Sequence, residues 1–163
     1  MKYREWIESI DSKGLICEMY RNKVINATSK KQLVDYAMDA NGALFILEMQ
    51  KKGCTLPYET LTNEFSSYIN GKYNADYNGK YTSSMFCCYN GDSFIELNTT
   101  QTILLGCKVD VYVKEYTASK IVVDKNCEIT IHCPRTSKLN VQYANGAKIV
   151  VFDNKDRVQL TEN

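Results

Sequence analysis

The chain has 163 residues, of which 44% are hydrophobic and 24% charged, with a net charge of +1. This is the composition of a globular protein with room for one domain or two small ones, and it excludes a disordered chain. No field of a single sign is available, which disfavours both a nucleic-acid binder held mainly by charge and an acidic DNA mimic.

Residues 1–25 read as two short segments split at Gly14. Trp6, Ile7 and Ile10 are at helical spacing. Leu15, Ile16, Met19 and Tyr20 fit helix or strand equally well. Thr28 or Ser29 is a suitable N-cap for a helix with the stripe Leu33, Val34, Ala37 and Met38, ended by Asn41-Gly42. A second helix over 43–52 puts Leu44, Leu47 and Met49 near one face, carries Lys51 and Lys52 in its last turn, and stops at Gly53. Pro57 opens a third helix with Leu61, Phe65, Tyr68 and Ile69 spaced for burial, closed by Asn70-Gly71. This helix offers Glu59 and Glu64 but no Arg or Lys, unlike a recognition helix of a helix-turn-helix protein. The sequence therefore predicts a helical cap covering the open end of the structure that follows.

Residues 71–92 form an Asn/Gly/Tyr-rich connection in which Asn70-Gly-Lys-Tyr73 recurs as Asn78-Gly-Lys-Tyr81. Asn-Gly is a strong turn signal, and Tyr73, Tyr77 and Tyr81 suit an ordered loop or hairpin with stacking surfaces for a small ligand. Beyond Thr82 the pattern changes to short strands, at about 85–89, 94–97, 102–105, 109–113, 120–123, 128–132, 139–143, 149–152 and 158–160, separated by turn residues.

The stretch 106–153 repeats every twenty residues. Its rows are Cys107-Lys-Val-Asp-Val-Tyr-Val, Cys127-Glu-Ile-Thr-Ile-His-Cys and Ala147-Lys-Ile-Val-Val-Phe-Asp. Val109, Ile129 and Ile149 fall in one column, and Val111, Ile131 and Val151 in another. Gly106, Asn126 or Gly146 precedes each row, which predicts a recurring turn with left-handed backbone. A second match sets Ile121 and Val123 against Val141 and Tyr143. Such recurrence favours a β-solenoid over a sandwich or barrel. Rows before Gly106 break the period, so the first coil is expected to be irregular. The predicted fold is α+β: a helical N-terminal region over 1–70, the connection over 71–92, and over 93–163 a short β-solenoid (β-helix) of about twenty residues per coil.

Stacked coils turn sequence columns into surface columns. With Val109 and Val111 facing inward, Tyr112, His132 and Phe152 align outward as an aromatic stripe, flanked by Asp110, Thr130 and Val150. Such a stripe is either covered by the helices or the tyrosine loop, or it binds a partner. Cys88, Cys107 and Cys127 form a ladder of small side chains inside one corner. Cys127, His132 and Cys133 lack a recognised zinc spacing, and His132 and Cys133 point to opposite faces, so neither a metal site nor a nucleophile–base pair is expected there. Asp110, Asp124 and Glu128 read as scattered, solvated carboxylates. No P-loop, Gly-x-Gly-x-x-Gly or Gly-x-Ser-x-Gly is present. No catalytic residue, metal or cofactor is therefore expected.

The run Tyr68-Ile-Asn-Gly-Lys-Tyr, then Tyr81-Thr-Ser, Asn98-Thr-Thr and Ile103-Leu-Leu-Gly-Cys107, followed by short Val/Ile strands, resembles a group of small uncharacterised proteins of gut bacteria and their phages, with a short helical N-terminus and a small β-helix. The resemblance covers roughly 30–153. It implies the same architecture, carries no activity or catalytic residues, and makes a host protein an expected target.

No apolar run is long enough to span a membrane, and Met1 leads into Lys2, Arg4, Glu5 and Glu8 rather than a signal sequence. A cytoplasmic protein with its seven cysteines reduced is expected. The function read from the sequence is a non-enzymatic interaction or self-assembling protein, expected to be a homo-oligomer, with no membrane partner and nucleic acid disfavoured. The alternative is a sugar- or nucleotide-binding protein using the tyrosine loop, and behind it a β-helix hydrolase or lyase.

Overall fold

A computed structural model of the chain describes residues 1–37, 42–65, 67–68, 83–87, 94–97 and 101–163. Met38, the Asn70-Gly71 turn, Tyr73, Tyr77, Tyr81 and Cys88 lie outside the described residues, as do the side chains of Leu44 and Leu47. Among the described residues five helices come first: α1 (Tyr3–Ser12), α2 (Glu18–Ile25), α3 (Lys30–Ala37), α4 (Gly42–Lys51) and α5 (Tyr58–Phe65). Of the undecided stretch after Gly14, Met19 and Tyr20 are helical in α2, while Leu15 and Ile16 lie in the link before it. Ser29 Oγ accepts the Gln32 N–H, and Gln32 Oε1 accepts the Thr28 N–H at 2.8 Å, so both candidate caps take part at the start of α3. α5 ends at Phe65 rather than Ile69, with a turn bond from the Tyr68 N–H to the Phe65 carbonyl.

Among the described residues nine strands follow: β1 (Ser83–Cys87), β2 (Phe94–Leu97), β3 (Gln101–Leu105), β4 (Lys108–Val113), β5 (Ala118–Val123), β6 (Glu128–His132), β7 (Lys138–Tyr143), β8 (Lys148–Val151) and β9 (Val158–Glu162). Odd strands build one parallel sheet, β1-β3-β5-β7-β9, and even strands a second, β2-β4-β6-β8. The chain alternates between the two sheets, so each coil of the solenoid contributes one strand to each. β1 precedes residue 93, so the first sheet begins within the stretch assigned from sequence to the connection.

The columns stack as the repeat requires. Val109 pairs with Ile129 and Ile129 with Ile149; Val111 pairs with Ile131 and Ile131 with Val151. Partners in β4, β6 and β8 are twenty residues apart, and those in β5 and β7 likewise. Earlier coils are shorter: Phe94 pairs with Asp110, sixteen residues on, and Ser83 with Gln101, eighteen on. The irregular first coil is therefore a matter of length, with the pairing conserved.

Inward side chains of both sheets, among them Leu104, Val111, Ile121, Val123, Ile131 and Val141, form one buried core. Corners recur every ten residues, closed by bonds from Cys127 N to Asp124 O, Ser137 N to Pro134 O and Ala147 N to Ala144 O. Corner N–H groups of one coil that find no backbone acceptor are met by side chains of the next. Ser137 Oγ accepts the Thr117 N–H at 3.1 Å, and Asp153 Oδ1 accepts the Cys133 N–H at 2.8 Å. Gly106 and Gly146 have the expected left-handed backbone, at φ of 67° and 100°, but Asn126 does not. There the Asp124 carboxylate accepts the Asn126 N–H, an Asx-turn that closes the corner in ordinary backbone.

Among the described residues the helices contact an outer sheet face. Val34 and Phe65 bury Ile103, Leu105 and Val122, the outward side chains of β3 and β5. These strands read as continuous apolar runs because they are covered on both faces. β4 and β6 alternate buried with accessible positions, as strands with one wet face do. A separate core of Ile7, Ile10, Ile16 and Met49 holds the helices together, and the Trp6 indole N–H donates to the Cys54 carbonyl at 2.8 Å. No helix of the described residues is long and apolar enough to cross a membrane.

Candidate functional site

The outer face of the second sheet carries the predicted stripe, and parallel pairing dictates its geometry. Tyr112 is directly opposite His132 in the register, so their side chains emerge one coil apart on the same face. The rings stack at 4.3 Å with an interplanar angle of 4°. His132 and Phe152 follow at 4.9 Å, tilted by 43°. Phe94, which the sequence reading left out, joins from β2, edge-on to Tyr112 at 5.6 Å. It was missed because its row is offset by sixteen residues rather than twenty, which moves it beside Asp110 in the register.

The stripe is open. Phe94 is 47% exposed, Tyr112 41%, Val150 57% and Phe152 70%. The described helical contacts are on the other sheet, so the covered-stripe alternative fails for the helices; the tyrosine loop lies outside the described residues. Next to the aromatics on this face comes the column Asp110, Thr130 and Val150, and beyond it a charged column. Glu128 Oε1 is 3.0 Å from Lys148 Nζ and 3.4 Å from Lys108 Nζ. These two ammonium groups, Lys148 first, hold the Glu128 carboxyl below its ordinary value. His132 Nε2 is 3.8 Å from Asp110 Oδ2 and makes no hydrogen bond to a described residue. The face thus runs from a charged column at one side to exposed aromatics at the other, a mixture of polar and apolar chemistry that suits a protein-binding patch.

The cysteines face the other way. Cys107, Cys127 and Cys133 are buried in the solenoid core while His132 points outward, so the set Cys127, His132 and Cys133 is divided between two faces. Cys107 and Cys127 stack as predicted, the Cys107 N–H donating to Cys127 Sγ at 3.3 Å. Asp124 is not solvated, contrary to the sequence reading. Its Oδ1 accepts the N–H groups of Gly106 and Asn126, both at 2.9 Å, and lies 3.3 Å from Cys127 Sγ. The hydrogen bond with Cys107, then burial, then the Asp124 charge push the Cys127 thiol far above its ordinary range. Burial and the nearby Asp153 raise that of Cys133. Both are therefore held as protonated thiols, poor nucleophiles and poor ligands. The signal for Asp124 is available in hindsight: an acid at the first position of a tight turn, one coil beyond a glycine whose N–H needs an acceptor.

Tyr73, Tyr77 and Tyr81, the weaker ligand-binding candidates, lie outside the described residues. No family model matches the chain, and no curated protein or solved structure matches it.

Proposed function

We propose that the protein is a non-enzymatic interaction module that docks a protein partner on the outer face of its second sheet. The observation that carries this reading is the row of touching rings Phe94, Tyr112, His132 and Phe152, exposed except at half-buried His132, with exposed Val150 beside it. Aromatic anchors held rigid by their neighbours lose little entropy on binding and supply most of an interface's energy once desolvated. The single histidine stands in the outward stack and the Cys127 and Cys133 thiols are buried and protonated, which supports binding rather than catalysis. A target encoded by a host cell is the partner that the resemblance to the gut-bacterial and phage group suggests.

A second reading, self-assembly, has its own support. In the last coil Ile149, Val151 and Val158 are only partly buried, whereas Ile129, Ile131, Leu139 and Val141 one coil earlier are fully covered. Among the described strands β8 and β9 each pair on one side alone. A second copy can cover that coil, and Phe152 is next to it.

A photo-crosslinking residue at Val150, compared with one at Asn140 on the outer face of the first sheet, tests the docking face in cells expressing the protein. Crosslinks from Val150 that vanish in Tyr112→Ala/Phe152→Ala support it; equal crosslinking from both positions, or none from Val150, refutes it. Light scattering on the purified chain separates a second copy from a foreign target.

A further inference from the structure

The helices and one corner of the solenoid enclose a cleft of about 640 Å³. All five helices contribute to its wall, with Phe45 and Met49 among the lining residues, and Leu105 of β3 meets it from the sheet. Interiors pack without voids much larger than a water molecule, whereas ligand sites span roughly 300–1,000 Å³. A space of this size with aliphatic and aromatic walls has the dimensions of a binding site. Met19 lines the cleft and is 62% exposed, so the approach from solvent is itself apolar. Thioether side chains adapt to flexible hydrocarbon.

Besides Glu48, Thr55 and the tyrosines, the polar part of the lining is the corner formed by residues 124–126. Asp124 is committed to Gly106, Asn126 and Cys127. Glu48, also on the lining, is paired with Lys52 at 2.6 Å. Lys125 is left as the exposed charge of that corner. A largely apolar chamber with one exposed lysine on its lining complements a hydrocarbon chain ending in an anion. We propose that the cleft binds a free long-chain carboxylate, its chain among the helices and its carboxylate at Lys125.

The test uses the whole chain with 11-(dansylamino)undecanoate as fluorescent probe and three competitors: hexadecanoate, hexadecanol and a lysophosphatidylcholine. Saturable probe binding of one per chain is expected, with displacement by hexadecanoate. Lys125→Glu should weaken hexadecanoate about tenfold, as loss and reversal of a partly exposed ion pair would, and leave hexadecanol within about twofold. Val24→Trp, which fills the wall, should abolish binding; if it fails to fold, Lys125→Glu still decides, because that position is exposed. No saturable binding, equal competition by alcohol and carboxylate, indifference to Lys125→Glu, or preference for the phospholipid would each overturn the proposal. Tyr112→Ala/Phe152→Ala should bind the probe as wild type does, which keeps this outcome separate from that for the docking face.

Discussion

Asp124 shows how much one buried side chain carries in a solenoid corner. Its Oδ1 serves two backbone N–H groups and a thiol, in a position where water cannot replace it. Asp124→Ala leaves those donors without an acceptor and should cost about 2–4 kcal/mol in urea unfolding, while Asp124→Asn, which keeps an acceptor oxygen, should cost about 1 kcal/mol. The Cys127 thiol beside it makes stability depend on alkali. Below its ordinary value of 9.0 the thiol is protonated whether folded or not, and contributes no slope. Above that pH only the unfolded chain releases the proton, so the unfolded state binds fewer protons and stability falls, by about 1.4 kcal/mol per pH unit per thiol. Unfolding curves at pH 8 and pH 10 should therefore diverge more for wild type than for Cys127→Val; equal divergence would contradict the assignment. Little of this was legible beforehand, since an acid in a turn usually faces water, and only the coil above reveals what it accepts.

At the scale of the element, what could be read depended on whether sequence distance is also spatial distance. From β4 onward in the second sheet each row advances by twenty residues, so Val109, Ile129 and Ile149 identified one another before any coordinates. Where a row advances by sixteen, as from Phe94 to Asp110, the same pairing was invisible and Phe94 dropped out of the stripe. The helical cover had a signal that went unused: Ile103 to Leu105 and Ile121 to Val123 are continuous apolar runs, which a strand with one wet face does not need. The stack also sets a gradient along the solenoid. Ile129 is buried with rows on both sides, whereas its neighbour Ile149 belongs to the partly covered last coil. Ile129→Ala should cost about 3–4 kcal/mol and Ile149→Ala about half that, measured by urea unfolding at low concentration. A loss at Ile149 that grows as protein concentration is raised would show that a second copy covers this coil.

For the whole molecule, the two halves depend on each other through one face. The solenoid has its own core and the helices have theirs, and Ile103, Leu105 and Val122 are the sheet residues packed against Val34 and Phe65. Undocked, that face would present adjoining bulky apolar side chains on a surface that soluble monomers keep covered. Val122 is fully buried at this contact, and Val122→Lys places an ammonium there without touching either core. The burial cost of an unpaired charge is large enough to separate the layers. Trp6, the one tryptophan, reports on the helices, and far-UV circular dichroism near the β minimum reports mainly on the coils. In the wild type the two signals should melt together, because each layer covers the other. In Val122→Lys the Trp6 transition should move to lower temperature while the coil transition shifts less, and the protein should become more prone to associate. Coincident transitions in the variant would mean that the helices are held to the solenoid by contacts other than this face.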